Sequence, residues 1–369
     1  MLSRFAKRIF AALSSGDVDD PFRTARDVAS GGLRRKARAA GRLAAGASAL
    51  LWAGAAAADC GGGRDLLAAL AQEDPAAHAE IMAAAAAEPD PDGVFWRVTR
   101  PGAAESWLMG SFHIPHPLID PAPPKAMAAL DRARVMLMEM SPEELARFGP
   151  MAAADPTLVA NVDHPPLDQA MSAEDFAAVA EAMQALGAPP ERTAFMRPWI
   201  VSLTLATPPC AMAALAAGAE PMDTRIAARA AARGLEVKGM ETWEDLLPML
   251  QADEWSEQAL RSLANAARDA AEGRDMQTTS ARLYAQERVW PLWTWSEWRA
   301  RQDGLEEAMA EARVELFEKR NLRFVEAAAP ELERGGAFVL VGALHLGGEG
   351  GMIELLRARG FTVERAALR

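Results

Sequence analysis

One unit occurs twice in this chain and constrains its fold more than any other feature. Residues 106–113 read SWLMGSFH and residues 338–345 read FVLVGALH. Each is an apolar run that ends in Gly-x-x-His. Each is followed by a loop, a helix-like stretch and a second short apolar run, VMLMEM (135–140) in the first copy and FTVERA (361–366) in the second. Strand, crossover helix and parallel strand is the βαβ pattern. Ligands of such sheets bind at the carboxyl ends of the strands. His113 and His345, two of only five histidines, both fall there.

The remaining pattern fits around this unit. VFWRVTR (94–100) and SWLMGSF (106–112) flank PGAAE and predict a hairpin. Residues 62–88 read as helix with a break at Asp74-Pro75, and EPDPDG (88–93) stops it. Helices are expected over about 124–133, 173–187 and 222–233, the last ending at Gly234 before the strand-like LEVKGM (235–240). Residues 243–329 are helix-rich, and abundant alanine favours helix throughout. The expected fold is α/β: a central, largely parallel sheet with two βαβ-like Gly-x-x-His halves. A large, mostly helical insertion is expected over about 141–335, within a single domain spanning 59–369.

Four strand ends carry candidate chemistry. Glycine at a strand tip is expected to allow a tight turn that a Cβ would obstruct, after which the histidine projects over the sheet edge. Glu139 lies near the end of VMLMEM among methionines, where a buried carboxylate needs a partner. Glu241 directly follows LEVKGM and fits a site or a helix start equally well. Two imidazoles with one or two carboxylates suit a divalent transition metal, with positions left open for water. Zinc, manganese, iron and cobalt all fit that donor set. Arg320, in the Arg320-Asn321 pair late in a charged helix, could neutralise an oxyanion or fix a ligand carboxylate. On chemistry alone a surface salt bridge is its commoner use. His116, across Pro115 from His113, reads as a loop-surface histidine. Trp290, Trp293, Trp295 and Trp298 are expected to pack in the core, with a peptide-binding wall as the alternative.

Taken in order, these pieces resemble the TraB/GumN family, which includes the TIKI-type metalloproteases. The resemblance covers nearly all of the chain after its N-terminal leader. It rests on FWRVTRPGAAESWLMGSFH, VMLMEM, Pro198-Trp199 opening a mid-chain helix, MDTRIAARAAARGLEVKGMET, Arg320-Asn321 and FVLVGALHLGGEGGMIELLRARGFTV. The resemblance implies a metal-dependent hydrolase fold related to the erythromycin-esterase and ChaN-like group. It implies His113, His345 and Glu139 at the metal, Arg320 in support, Glu241 at a recurrent position, and a peptide or protein substrate. A non-catalytic metal- or ligand-binding envelope protein and an esterase-like hydrolase on the same site are the competing functions.

Charge and leader bound the setting. The net charge is −12, yet residues 1–42 hold ten Lys/Arg against four Asp/Glu, so the body is strongly acidic. An acidic body argues against nucleic-acid binding, which needs a cationic surface to displace counterions. The basic stretch 34–42 precedes an uncharged run, 43–58, that ends in Ala-x-Ala before Asp59. That order predicts a signal peptide over 1–58 and a periplasmic or otherwise exported protein, with membrane contact only through the leader. Without a working leader the protein is cytoplasmic. The run is short for a membrane span, and Asp59 before Cys60 argues against lipidation. Cys60 and Cys210 are the only cysteines. Export would let them pair; two free thiols fit the sequence as well.

Overall fold

The computed structural model of the protein describes residues 60–368. The leader expected over 1–58 and its cleavage point before Asp59 lie outside the described residues. Six strands form one sheet: β1 (Phe95–Thr99), β2 (Ser106–Ser111), β3 (Val135–Met138), β4 (Glu236–Gly239), β5 (Ala337–Gly342) and β6 (Thr362–Arg365). Their order is β4-β3-β5-β2-β1-β6. β2, β5, β3 and β4 pair in parallel, whereas β1 is antiparallel to both β2 and β6. The expected hairpin is β1–β2, and every strand except β1 runs in one direction.

The two repeated units interlock. β5 of the second copy lies between β2 and β3 of the first, and β2 and β1 lie between β5 and β6. Each crossover therefore keeps the parallel sense of a βαβ unit while skipping strands. Burial explains the placement. All six residues of β5 are buried, as required of a strand paired on both sides and covered on both faces. β6 buries only Val363, which suits an edge.

Alternation along the central strands divides two cores. Leu108, Val135, Leu137, Val339 and Val341 pack with Phe324, Val325, Ala328 and Leu332 of the helix Lys319–Arg334 and with Ile353 and Leu356 of the helix Met352–Ala358. On the other face Met109, Met136, Met138, Phe338 and Leu340 pack with Met127 and Leu130 of the helix Pro124–Leu130 and with Ile226 and Ala230 of the helix Met222–Ala232. A third core is mostly helical. It joins Met140, Phe148, Leu167, Met183, Trp199, Trp243 and Leu263.

The range 141–335 is mostly helical, as expected, and part of it joins the sheet layers. β4 and the helices Met222–Ala232 and Lys319–Arg334 fall inside that range yet build and cover the sheet. The stretch outlined by a helix-rich sequence contains pieces of two layers, because periodicity reports one buried face and not what covers it.

Local chemistry sets the element ends. Asp74 caps the helix Pro75–Ala87, accepting from the Ala77 N–H, with Pro75 at the first helical position where its missing N–H costs nothing. Trp290, Trp293 and Trp295 are buried and Trp298 packs against the cluster around Trp295, so the tryptophans serve packing. Among the described residues no single helix is long and apolar enough to cross a membrane.

Cys60 and Cys210 form a disulfide across 150 residues of sequence. Thr278 Oγ1 also donates to the Cys60 carbonyl at 2.6 Å. Both contacts tie the N-terminal segment to the helical body. Cys210→Ser should lower stability by roughly 2–5 kcal/mol through the freed unfolded chain. Denaturation of the oxidised wild type beside the variant checks this, and thiol titration of the unfolded, unreduced wild type should count zero.

Candidate functional site

The two Gly-x-x-His copies lie side by side because β2 and β5 are neighbours. Their register pairs Gly110 with Val341 and Ser111 with Gly342. A Cβ on Gly110 would stand 2.7 Å from the Ala343 Cα, and one on Gly342 would stand 2.7 Å from His113 Nε2 and 3.3 Å from Glu139 Oε1. Each glycine makes room for the other copy. Neither has a positive φ, so the expected tight turn is corrected: close approach, and not chain reversal, demands glycine here.

Glu139 follows β3 and is buried at the centre of the site. Its Oε1 accepts the Gly342 N–H at 2.6 Å. The same oxygen lies 3.9 Å from His113 Nε2 and 3.7 Å from His345 Nε2. The other oxygen accepts from Arg320 Nη2 at 3.1 Å. Burial alone would raise this carboxyl, but Arg320, His345, His113 and the Gly342 amide outweigh it and hold it at about 2.

His345 is fixed from behind. Its Nδ1 lies 2.7 Å from Asn321 Oδ1, and the Asn321 amide is oriented by its Nδ2 donating to the Gly350 carbonyl at 3.0 Å. The oxygen of Asn321 therefore faces the ring and Nδ1 carries the proton, which leaves Nε2 with its lone pair free of a proton, 3.4 Å from Arg320 Nη1 and 3.7 Å from Glu139 Oε1. Phe317 and Phe324 stand edge-on to the ring. Burial lowers the His345 pKa to about 3, with Arg320 and His113 adding to the effect and Glu139 opposing it. The ring is thus held neutral.

His113 has the same layout. Nε2 faces Glu139, while Nδ1 lies 3.4 Å from Ser111 Oγ and 3.8 Å from Asp223 Oδ1. Asp223 was not singled out by sequence. It sits in the first turn of the helix Met222–Ala232, where an acid ordinarily complements the helix dipole. Only the fold brings it beside a histidine far away in the chain. Asn321 was legible as half of the Arg-Asn pair, but its role behind His345 was not.

Arg320 is buried and not a surface ion pair. It lies at the start of Lys319–Arg334, directly after the π-helical turn Val314–Glu318, and so midway along a continuous helical run and not late in it. Nε donates to Glu241 Oε2 at 3.0 Å and Nη2 donates to Glu241 Oε1. Glu139 and Glu241 keep its pKa raised against the opposing effect of burial. Burial pushes the Glu241 carboxyl up, and Arg320 offsets part of that. Glu241 is only 2 % exposed with both oxygens on Arg320. In this structure it holds the arginine that holds Glu139. The loop-surface reading of His116 is corrected, since it is buried, with Nδ1 accepting from the Leu118 N–H at 3.2 Å.

Three donors therefore converge: His113 Nε2, His345 Nε2 and Glu139 Oε1. Two imidazoles and a carboxylate oxygen suit a divalent transition ion with open positions. The spacings of 3.7 and 3.9 Å are wider than the roughly 3.3 Å between ligand atoms on a tetrahedral ion with bonds of about 2 Å. Among the described residues no group of three or more His, Cys, Asp or Glu side chains is already closed to that size. The donor set fits in kind, and closing it needs a small inward shift of the rings.

A cavity of about 380 Å³ opens over these atoms. His113, Glu139, Arg320 and His345 line it beside Leu203, Trp243, Leu246 and Met249 of the helical core and beside Leu292, Leu316 and Phe317.

A family model described as the TraB/PrgY/gumN family matches residues 94–365. No curated protein and no solved structure matches the chain.

Two substitutions separate the roles of these groups. Glu241→Ala breaks a buried pair and should cost about 3–5 kcal/mol, read as a lowered melting temperature. An unchanged melting temperature would remove the arginine-holding role. Gly342→Ala should displace the His113 ring while the sheet stays intact, at about 1–3 kcal/mol for the overpacking. A crystal structure of that variant checks it, and an unmoved ring would refute the packing argument.

Proposed function

We propose, for a chain that belongs to the TraB/PrgY/gumN family, that it is a metal-dependent hydrolase acting at the carbonyl of a peptide or ester bond. One observation carries this reading: two histidine Nε2 atoms face one Glu139 oxygen. Partners behind a ligand histidine fix its tautomer and orientation, and Asn321 and the Ser111–Asp223 pair stand in that position here. His113, His345 and Glu139 would hold the ion. What such an ion supplies, when bound, is Lewis acidity toward a carbonyl and a lowered pKa for water.

The other groups have positioning tasks. Glu241 fixes the Arg320 guanidinium, and Nη2 of Arg320 fixes Glu139. Among the described residues Nη1 has only long contacts, 3.4 Å to the Leu316 carbonyl and 3.4 Å to His345 Nε2. Its protons are the ones available to a substrate oxygen that gains negative charge. The helical core walls the cavity and limits water around it. The Cys60–Cys210 pair and the leader pattern support an oxidising, exported setting.

Purified protein should bind one divalent ion per chain and hydrolyse a peptide or an ester in a chelator-sensitive way. His113→Ala and His345→Ala should each lose both properties while keeping the wild-type circular dichroism, and His116→Ala should keep the ion. Metal content by mass spectrometry beside peptide and ester turnover decides this. Full occupancy in both of the first two variants would overturn the reading.

A further inference from the structure

The wall of the cavity names a substrate class. Among the described residues its only acidic or basic lining groups besides the two imidazoles of His113 and His345 are Glu139 and Arg320. The rest is dominated by aliphatic and aromatic side chains. Leu203, Leu246 and Met249 belong to the helical lobe, and Leu292, Leu316 and Phe317 line the cavity from the helix Trp290–Gln302 and the turn Val314–Glu318. Leu203 and Leu246 pack on the helical core yet remain only partly buried, so apolar surface stays open inside the cleft. Its volume of about 380 Å³ lies within the range of small-molecule sites.

The polar groups of the wall discriminate between occupants. A peptide strand carries an N–H and a C=O per residue, and each one desolvated without a partner is costly. Ser280 Oγ donates to the Met276 carbonyl of its own helix at 2.8 Å, and the Tyr284 hydroxyl donates to the Gly110 carbonyl at 2.6 Å. Two polar side chains remain: Gln277, whose buried Oε1 has no hydrogen-bond partner among the described residues, and Ser111, whose Oγ lies 3.4 Å from His113 Nδ1. So few side chains can pair with one or two groups of a ligand and not with every N–H and C=O of an extended backbone. A hydrocarbon tail makes no such demand.

We infer that the cleft binds an acyl chain, with its carbonyl at the histidine–glutamate end, so that the substrate of the site is a long-chain acyl ester or acyl amide. The binding half follows from the wall alone, and the turnover half rests on the hydrolase reading above. In that turnover the oxygen of water bonds to the acyl carbon and the bond from that carbon to the alcohol oxygen or amine nitrogen breaks. One proton of the water passes to the leaving group and the fatty acid departs.

The test uses purified protein, p-nitrophenyl esters from acetate to dodecanoate, and dodecanoate itself as a calorimetric ligand. kcat/KM should rise roughly two- to fourfold per methylene until the cleft is filled. Met249→Gln and Leu316→Asn place polarity on two elements of the wall at nearly constant volume. Each should weaken dodecanoate at least fivefold and flatten the chain-length series, with melting temperatures near that of wild type. His345→Ala should stop ester turnover and still bind dodecanoate. Dodecanoate binding that tracks the wall variants, without turnover of any ester, supports the acyl cleft and overturns the hydrolase reading instead. A flat chain-length series with dodecanoate binding insensitive to both wall variants overturns the acyl cleft. Faster cleavage of a leucine-rich peptide than of any ester does the same for acyl specificity.

Discussion

The parallel pairing of β2 with β5 is the contact on which the rest of the site depends. It sets two strand tips that are far apart in sequence within one hydrogen-bonded register, Gly110 against Val341 and Ser111 against Gly342. The approach is close enough that a methyl group on either glycine would collide with the other copy. Because the strands are parallel, both histidines emerge on the same edge. Because β3 lies on the far side of β5, Glu139 reaches the same point and accepts the amide of Gly342. The backbone of one motif thereby orients the acid that both motifs share.

A buried charge cluster then has to be reconciled with its surroundings. Glu139 and Glu241 are two carboxylates below a helical roof, and neither would stay ionised alone there. Arg320 joins them: a planar fork meets both Glu241 oxygens and one of Glu139, a geometry that lysine could not supply. The second Glu139 oxygen is left toward the histidines. The cluster thus divides labour between two acids of the same type. One is saturated by the arginine, and the other keeps an oxygen in the cavity.

The helical core gives this edge its chemistry of exclusion. Met140, immediately after Glu139, belongs to that core, so the strand that ends in the acid continues into the wall above it. Ile114, next to His113, packs against the Cys60–Cys210 disulfide. The N-terminal tether and the histidine loop are therefore neighbours. Apolar walls around a few fixed polar groups raise the strength of every electrostatic interaction at the mouth of the cavity.

The sequence by itself determined the sheet: apolar runs of strand length, punctuated by Gly and Pro, fall within a residue or two of β1 to β6. It also determined that His113, His345 and Glu139 sit at strand ends, because that depends on local order along the chain. Strand adjacency was beyond it, since each βαβ-like unit is satisfied locally whether or not other strands lie between its own. Tertiary structure alone decided that Glu241 binds Arg320, that Asp223 stands behind His113, that Asn321 fixes the tautomer of His345, and that His116 is buried. Each of those is a contact across the fold between residues whose local patterns read as ordinary: an acid near a helix start, an amide in a charged helix, a histidine after a proline. Periodicity carries the face a residue presents, and only packing settles what meets it there.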